Sequence, residues 1–123
     1  MQKQEFRPDK KMKRNKNNTT HYTWGANCSG WHLLQSKGLS VIEELMPPAT
    51  QEQKHYHTNS QQFFYILKGM ATFVIEEETI EITSGSGIHI QPMKKHLIKN
   101  NTSEALAFLV ISQSPTTEDR VNI

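Results

Sequence analysis

The chain has 123 residues, of which 35% are hydrophobic and 21% are charged. This size and composition suit one globular domain and exclude a pair of ordinary domains. No apolar run approaches the ~20 residues that a membrane-spanning helix needs, so the sequence predicts no membrane partner. The one cysteine, Cys28, cannot form an internal disulfide, which favours a reducing compartment, and we expect the protein in the cytoplasm.

The formal net charge of +2 is unevenly distributed along the chain. Residues 1–16 carry seven Lys or Arg and two acidic residues, whereas the rest of the chain has a net charge of −3. The sequence therefore predicts a basic, partly flexible N-terminal arm over 1–18, a single domain over 19–115 and a C-terminal tail over 116–123. The arm has no interleaved aromatic residues, so we do not expect the protein to bind nucleic acid.

Short apolar or alternating runs separated by turn residues follow one another from Trp31 onward. Pro47-Pro48, Gly69 and the segment 84–87 are among the turn signals. The predicted strands cover residues 31–34, 39–46, 63–69, 70–77, 79–83, 88–91, 96–100 and 106–112. Because no segment combines a helix N-cap with apolar residues at a period of 3.6, we predict an all-β sandwich or barrel.

Three of the six histidines are spaced as metal ligands would be. His55 and His57 are two residues apart, so on a strand their side chains point to the same face and can converge on one ion. His96 follows about forty residues later, after a glycine-rich turn, at the start of another predicted strand. The spacing predicts a site that holds one metal ion.

The residues around the histidine pair resemble the first motif of the cupin superfamily, G-x5-H-x-H-x3–4-E-x6-G. This motif falls on Ala49, His55, His57, Gln62 and Gly69. Both histidines and the closing glycine match. Alanine replaces the first glycine, and glutamine replaces the usual glutamate.

The second cupin motif, G-x5-P-x-G-x2-H-x3-N, falls on Gly85, Gln91, Met93, His96 and Asn100. The first glycine, the histidine and the asparagine match, whereas the proline and the inner glycine do not. Fifteen residues separate the two motifs, a short spacing similar to that of small single-domain cupins. The resemblance covers about residues 39–113.

The resemblance implies a double-stranded β-helix, or jelly-roll barrel, with a metal in the barrel mouth. It implies His55, His57 and His96 as ligands, with Gln62 as a further candidate. Imidazole ligands suit divalent Mn, Fe, Co, Ni, Cu and Zn alike, so the metal identity stays open. Glutamine brings no negative charge, so we expect weaker metal binding and a more open coordination sphere than a glutamate would give.

The alternation of strand residues predicts the lining of the barrel. If Gln62 points to the metal, Phe64 and Ile66 share its face and line the pocket, and His89 is a further pocket candidate. The opposite face of the same strand is apolar and needs a cover, and a second copy of the chain is the simplest one, so we expect a homodimer. The outward side chains are Phe63, Tyr65 and Leu67.

Three functions are compatible with such a site, since a fold does not determine a function. The first is a metal-dependent enzyme acting on a small molecule, either a dioxygenase or a sugar-type isomerase. The second is a metal-containing protein that binds or senses a small ligand without catalysis. The third is an interaction or regulatory module in which the metal is structural. Titratable groups beside the metal would favour the enzyme, and an apolar barrel without them would favour binding.

Overall fold

The computed structural model describes residues 12–114 and 118–123, and these residues form β-strands and connecting turns without a helix. The all-β prediction is therefore confirmed. None of the described residues forms a helix that is long and apolar enough to cross a membrane. The strands of the described part are β1 (Thr20–Trp24), β2 (Cys28–Ser36), β3 (Leu39–Met46), β4 (Thr50–Gln51), β5 (His55–His57), β6 (Gln61–Lys68), β7 (Met70–Ile75), β8 (Glu78–Thr83), β9 (Gly87–Ile90), β10 (His96–Asn100), β11 (Leu106–Gln113) and β12 (Arg120–Asn122).

The strands form two antiparallel sheets, as a double-stranded β-helix requires. The first sheet has the order β1-β2-β3-β11-β6-β9. The second has the order β12-β5-β10-β7-β8, with the short β4 also paired to β10. Strands that are neighbours in a sheet are often far apart in sequence, and this brings the two histidine-bearing strands, β5 and β10, side by side.

Apolar side chains from both sheets meet between them and form the core. Phe64 of β6 packs edge-on against Phe73 of β7, with ring centroids 5.1 Å apart, and lies 5.9 Å from the ring of Phe108 in β11. Along β11, Leu106, Phe108 and Val110 are buried at alternate positions, as the pleat of a half-buried strand requires. Each side chain of this size stabilises the fold by about 1.5–3 kcal/mol on full burial.

The four glycine positions of the two sequence motifs share a backbone conformation. Gly69 and Gly85 have φ angles of 89° and 84°, and Ala49 and Met93, which replace glycine, have φ angles of 61° and 72°. Glycine adopts a left-handed backbone without the steric cost that other residues have. Both replacements therefore keep the turn geometry but introduce backbone strain. The turn at Met93 contacts a histidine strand directly, because the backbone N–H of Met93 donates to the carbonyl of His57 at 2.7 Å.

Both ends of the described chain contact the sheets. Residues 1–11 of the predicted basic arm lie outside the described residues. Further along the arm, the Lys16 ammonium lies 3.2 Å from the Glu43 carboxylate and 4.9 Å from the ring centre of Trp31. At the other end, the segment that the sequence assigns to a tail contributes β12, which pairs with β5.

Candidate metal centre and adjoining cavity

Two neighbouring strands of the second sheet position the three predicted histidines. On β5, the side chains of His55 and His57 point to the interior, on either side of the outward Tyr56. On β10, His96 lies directly opposite His55 in the strand pairing. The rings of His55 and His96 are 4.3 Å apart, and one ligand nitrogen from each of the three histidines lies within 4.8 Å of the others. The fold thus brings all three side chains to one point.

Hydrogen bonds leave the same nitrogen free on each histidine. The Nδ1 atoms of His55 and His96 lie 2.8 Å from the backbone carbonyl oxygens of Gln53 and Lys94. The Nδ1 atom of His57 lies 2.9 Å from Oδ1 of Asp119. Because an imidazole that donates from Nδ1 carries its lone pair on Nε2, each ring presents Nε2 as a ligand atom.

Burial keeps these imidazoles neutral. It lowers the pKa of His55 to about 3, and it also lowers the pKa values of His57 and His96 below their ordinary value. In each case removal from water disfavours the charged ring more than the hydrogen bond to Nδ1 favours it. A neutral imidazole is the form that binds a metal, so the site needs no proton release from these rings at neutral pH.

Gln62 adds a carbonyl oxygen beside the histidines. Its side chain is 7% exposed, and its amide nitrogen donates to the hydroxyl of Ser112 at 3.1 Å. The opposite atom of the amide, Oε1, is buried without a hydrogen-bond partner, and so is Nε2 of His96. Unpartnered buried acceptors are rare in folded proteins and point to a missing partner, which a cation held by the three histidines would supply to Nε2 of His96. The donor set therefore fits a metal ion.

A cavity of about 290 Å³ opens beside the histidines. Its wall combines side chains from both sheets, with an apolar part and a polar part. The lining residues are Tyr22, His32, Ile42, Glu44, Glu52, His55, His57, Gln62, Phe64, Phe108, Val110, Ser112 and Arg120. A cavity of this volume suits a small molecule.

Two carboxyl groups in the cavity wall hold protons near neutral pH. Burial raises the pKa of Glu44 to about 7 and that of Glu52 to about 8, while the charge of Arg120 partly offsets both shifts. The proximity of Glu44 raises the pKa of Glu52 further, because two buried carboxylates repel each other. One oxygen of Glu52 is buried without a hydrogen-bond partner. These groups can both donate and accept a proton close to pH 7.

A glycine in β2 positions the tyrosine of this wall. Tyr22 of β1 pairs with Gly30 of β2, and a Cβ atom at Gly30 would lie 2.2 Å from the ring carbon that carries the hydroxyl. The ring therefore lies flat over the glycine, and its hydroxyl reaches the carboxyl of Glu44. Burial, reinforced by that carboxyl, raises the pKa of Tyr22, so the hydroxyl stays protonated.

The predicted pocket residues divide into two groups. Phe64 lines the cavity, and its ring centre lies 6.3 Å from that of His96. Ile66, two residues further along β6, is fully buried in the core and does not line the cavity. His89 does not line this cavity. It alternates with the inward Ile88 and Ile90, so its exposed side chain bonds to Gln61 at 2.8 Å.

Several functional candidates were not predicted from the sequence. Glu44 and Glu52 stand outside both motifs, and Asp119 and Arg120 lie in the segment assigned to the tail. The one local signal is the pair Glu43-Glu44, which interrupts an otherwise apolar strand. Parity would have placed one of the two glutamates on the inner face.

Comparison with known proteins supports the cupin resemblance. The cupin domain family matches residues 41–112, more than half of the chain. An uncharacterized protein of Methanocaldococcus jannaschii is 29% identical over 84 residues, which cover 68% of this chain and 67% of that protein.

Solved structures share the fold at low sequence identity. The polyketide cyclase RemF from Streptomyces resistomycificus superposes with a TM-score of 0.76 at 16% identity, covering 90% of this chain and 84% of its own. A predicted oxalate decarboxylase from Thermotoga maritima superposes with a TM-score of 0.77 at 21% identity, covering 85% of this chain and all of its own. At these identities the likeness shows the fold alone.

Proposed function

Because the chain belongs to the cupin family, we propose that it is an enzyme that binds one divalent transition metal through His55, His57 and His96 and acts on a small molecule in the adjoining cavity. The observation that carries the proposal is the shared state of the three imidazoles. Each ring donates a hydrogen bond from Nδ1 to a protein acceptor, and Nε2 of His96 is buried without a hydrogen-bond partner. Mn, Fe, Co, Ni, Cu and Zn all accept such ligands.

The carboxyl groups of the cavity favour an enzyme over a passive binding protein. A ligand-binding barrel has no need of buried acids, whose charged forms are costly to desolvate. Glu44 and Glu52 line the same cavity as His55 and have pKa values near those that suit general acid–base catalysis. They offer the acid–base groups that Gln62, an amide, cannot supply.

Proton transfer is the reaction class that these groups support best. His55, His57 and His96 would hold a divalent ion that would supply Lewis acidity toward an oxygen atom of the small molecule. Glu44 and Glu52 then serve as the proton donor and acceptor, and the phenyl ring of Phe64 with the aliphatic side chain of Val110 excludes water from one side of the cavity. Among the alternatives, this favours an isomerase-type reaction over a dioxygenase, because oxygen chemistry makes no demand for paired acids.

Whether water reaches the bound metal tests this proposal. We expect metal-free protein titrated with Mn²⁺ to enhance water-proton relaxation strongly, because three imidazoles leave positions for exchangeable water. Glu52→Gln should retain that enhancement, since Glu52 is not one of the metal ligands, and His96→Ala should lose it. Tight Mn²⁺ binding without relaxation enhancement would mean a closed, structural site and would contradict an enzymatic role.

Location and assembly are further parts of the proposal. The single cysteine, Cys28, is buried and free, which supports a reducing compartment such as the cytoplasm. The outer face of the first sheet bears exposed apolar side chains, among them Phe63 at 40% and Leu67 at 43% exposure. A second copy of the chain would cover this face in a homodimer.

A further inference from the structure

The carboxylate of Asp119 links the C-terminal strand to one of the three histidines. Asp119 precedes β12 and is 9% exposed. Its Oδ1 lies 2.9 Å from Nδ1 of His57, and its Oδ2 accepts the backbone N–H groups of Asn59 at 3.0 Å and Ser60 at 2.7 Å. Each carboxylate oxygen has its own partners, so the group cannot rotate without losing hydrogen bonds.

His57 differs from its two companions in the acceptor that it uses. His55 and His96 each bond to a backbone carbonyl two residues earlier in the chain, a neutral and local partner. His57 bonds to a carboxylate that is 62 residues away in sequence. A carboxylate makes the imidazole that it contacts a stronger electron donor than a carbonyl does.

The position of this charge complements the departure from the first motif. Three neutral imidazoles and the amide of Gln62 bring no negative charge to a divalent ion, whereas the motif's usual glutamate would bring one. We propose that Asp119 is a positioning residue that holds the proton on Nδ1 of His57, presents Nε2 to the metal, and supplies through that ring the negative charge that Gln62 lacks. This inference rests on the proposed metal site.

Asp119→Asn separates positioning from folding. The amide oxygen can still accept the N–H groups of Asn59 and Ser60, which keeps the turn in place. The amide NH₂ then faces Nδ1 of His57, and because two donors cannot pair, the ring proton must move to Nε2. The reversed orientation would set the NH₂ against two backbone donors and is less favourable. The isosteric change should therefore block one metal ligand in a folded protein.

Two readouts measure the effect, and the first needs no metal. Long-range ¹H–¹⁵N spectra of metal-free protein should show His57 protonated on Nδ1 in the wild type and on Nε2 in Asp119→Asn. Zn²⁺ competition against a chelator should then show affinity 10–100-fold weaker in the variant. Glu118→Gln removes the same charge from the exposed neighbouring residue and should change neither readout.

The outcomes distinguish this inference from the proposed function. An Asp119→Asn protein that keeps the Nδ1 proton, or that binds Zn²⁺ within twofold of the wild type, would overturn the role of Asp119. A wild-type protein that binds no metal would instead overturn the proposed function, while the tautomer spectra still test the Asp119 hydrogen bond. If Asp119→Asn does not fold, the wild-type spectrum decides, because a wild-type His57 protonated on Nε2 contradicts the inference.

Discussion

At the scale of single residues, backbone conformation explains why the two motifs tolerate departures from their usual glycines. Ala49 and Met93 adopt the left-handed backbone that glycine would adopt there. For an ordinary residue this conformation costs roughly 1–2 kcal/mol, which part of the surrounding structure must offset. The hydrogen bond from Ala49 N–H to the carbonyl of Asn100, at 3.0 Å, helps to hold one of the two turns.

Met93→Gly should therefore stabilise the protein. The Met93 side chain is 57% exposed, so little packing is lost, and the relief of strain exceeds the greater chain entropy of glycine in the unfolded state. We expect the free energy of unfolding to rise by about 0.5–1 kcal/mol in urea titrations. The neighbouring Lys94 has no left-handed backbone, so Lys94→Gly should lower stability. A loss of stability in both variants would contradict the strain assigned to Met93.

The two carboxyl groups of the cavity predict that stability falls as pH rises from about 4.5 toward 8. Folding raises the pKa of Glu52 from 4.5 to about 8 and that of Glu44 from 4.5 to about 7. Between 4.5 and its raised pKa, each group binds more protons in the folded state than in the unfolded state. Stability then falls as pH rises, by about 1 kcal/mol per pH unit for each group. The lowered pKa of His55 acts in the opposite direction, but only between about pH 3 and its unfolded value of 6.5.

Urea titrations of metal-free protein at pH 6.5, 7.25 and 8 would measure this slope. Glu52→Gln should flatten it, because the amide cannot ionise, and should stabilise the protein most at pH 8. Glu78→Gln, at an exposed position, should leave the slope unchanged. A wild-type stability that stays level or rises between pH 6.5 and 8 would be inconsistent with buried, protonated acids.

At the scale of strands, alternation and turn residues were enough to predict most of the two sheets. The predicted strand over 39–46 coincides with β3, and the one over 96–100 coincides with β10. The pair β1 and β2 was only partly predicted, since β1 is polar and alternates weakly. β12 has three exposed residues and no apolar pattern of its own, so only its pairing with β5 makes it a strand.

Only part of the site could be predicted from the sequence. The three histidines belong to motifs with fixed local spacing, so residue types and parity placed them together. Glu44 of β3 and Asp119, which precedes β12, reach the site through the pairing of strands that are apart in sequence. Local spacing does not encode that convergence, because it follows from the order of strands in the sheets.

Removing the C-terminal segment should lower stability much more than removing the N-terminal arm. Loss of residues 118–123 removes β12 and should destabilise the fold by about 2 kcal/mol or more while weakening metal binding. Among the described residues of the arm, Lys16 makes an exposed contact with Glu43 and Trp31 that contributes at most about 1 kcal/mol, so loss of residues 1–16 should cost little stability. Thermal melts of both truncated proteins would check this. A collapse of the N-terminal truncation would show that the arm is an integral part of the sheet.

At the scale of the whole molecule, the outer face of the first sheet predicts self-association. Phe63, Ile111 and Val41 lie opposite one another on three adjacent strands and form an apolar row. We expect light scattering to give the mass of a homodimer, and Leu67→Lys on this face should shift it toward the monomer. Met93→Lys changes another exposed apolar residue, which lies outside this sheet, and should not shift the mass. A monomeric wild type would contradict the homodimer.

The most direct test of the three-histidine metal site is metal stoichiometry after exhaustive dialysis. Elemental analysis of protein loaded with Zn²⁺ or Co²⁺ should give one ion per chain for the wild type and for His89→Ala, whose side chain lies outside the cavity. His57→Ala should retain close to none, because two imidazoles and a neutral amide hold a divalent ion weakly. A His57→Ala protein that keeps one ion per chain, or a wild type that keeps none, would contradict the site formed by His55, His57 and His96.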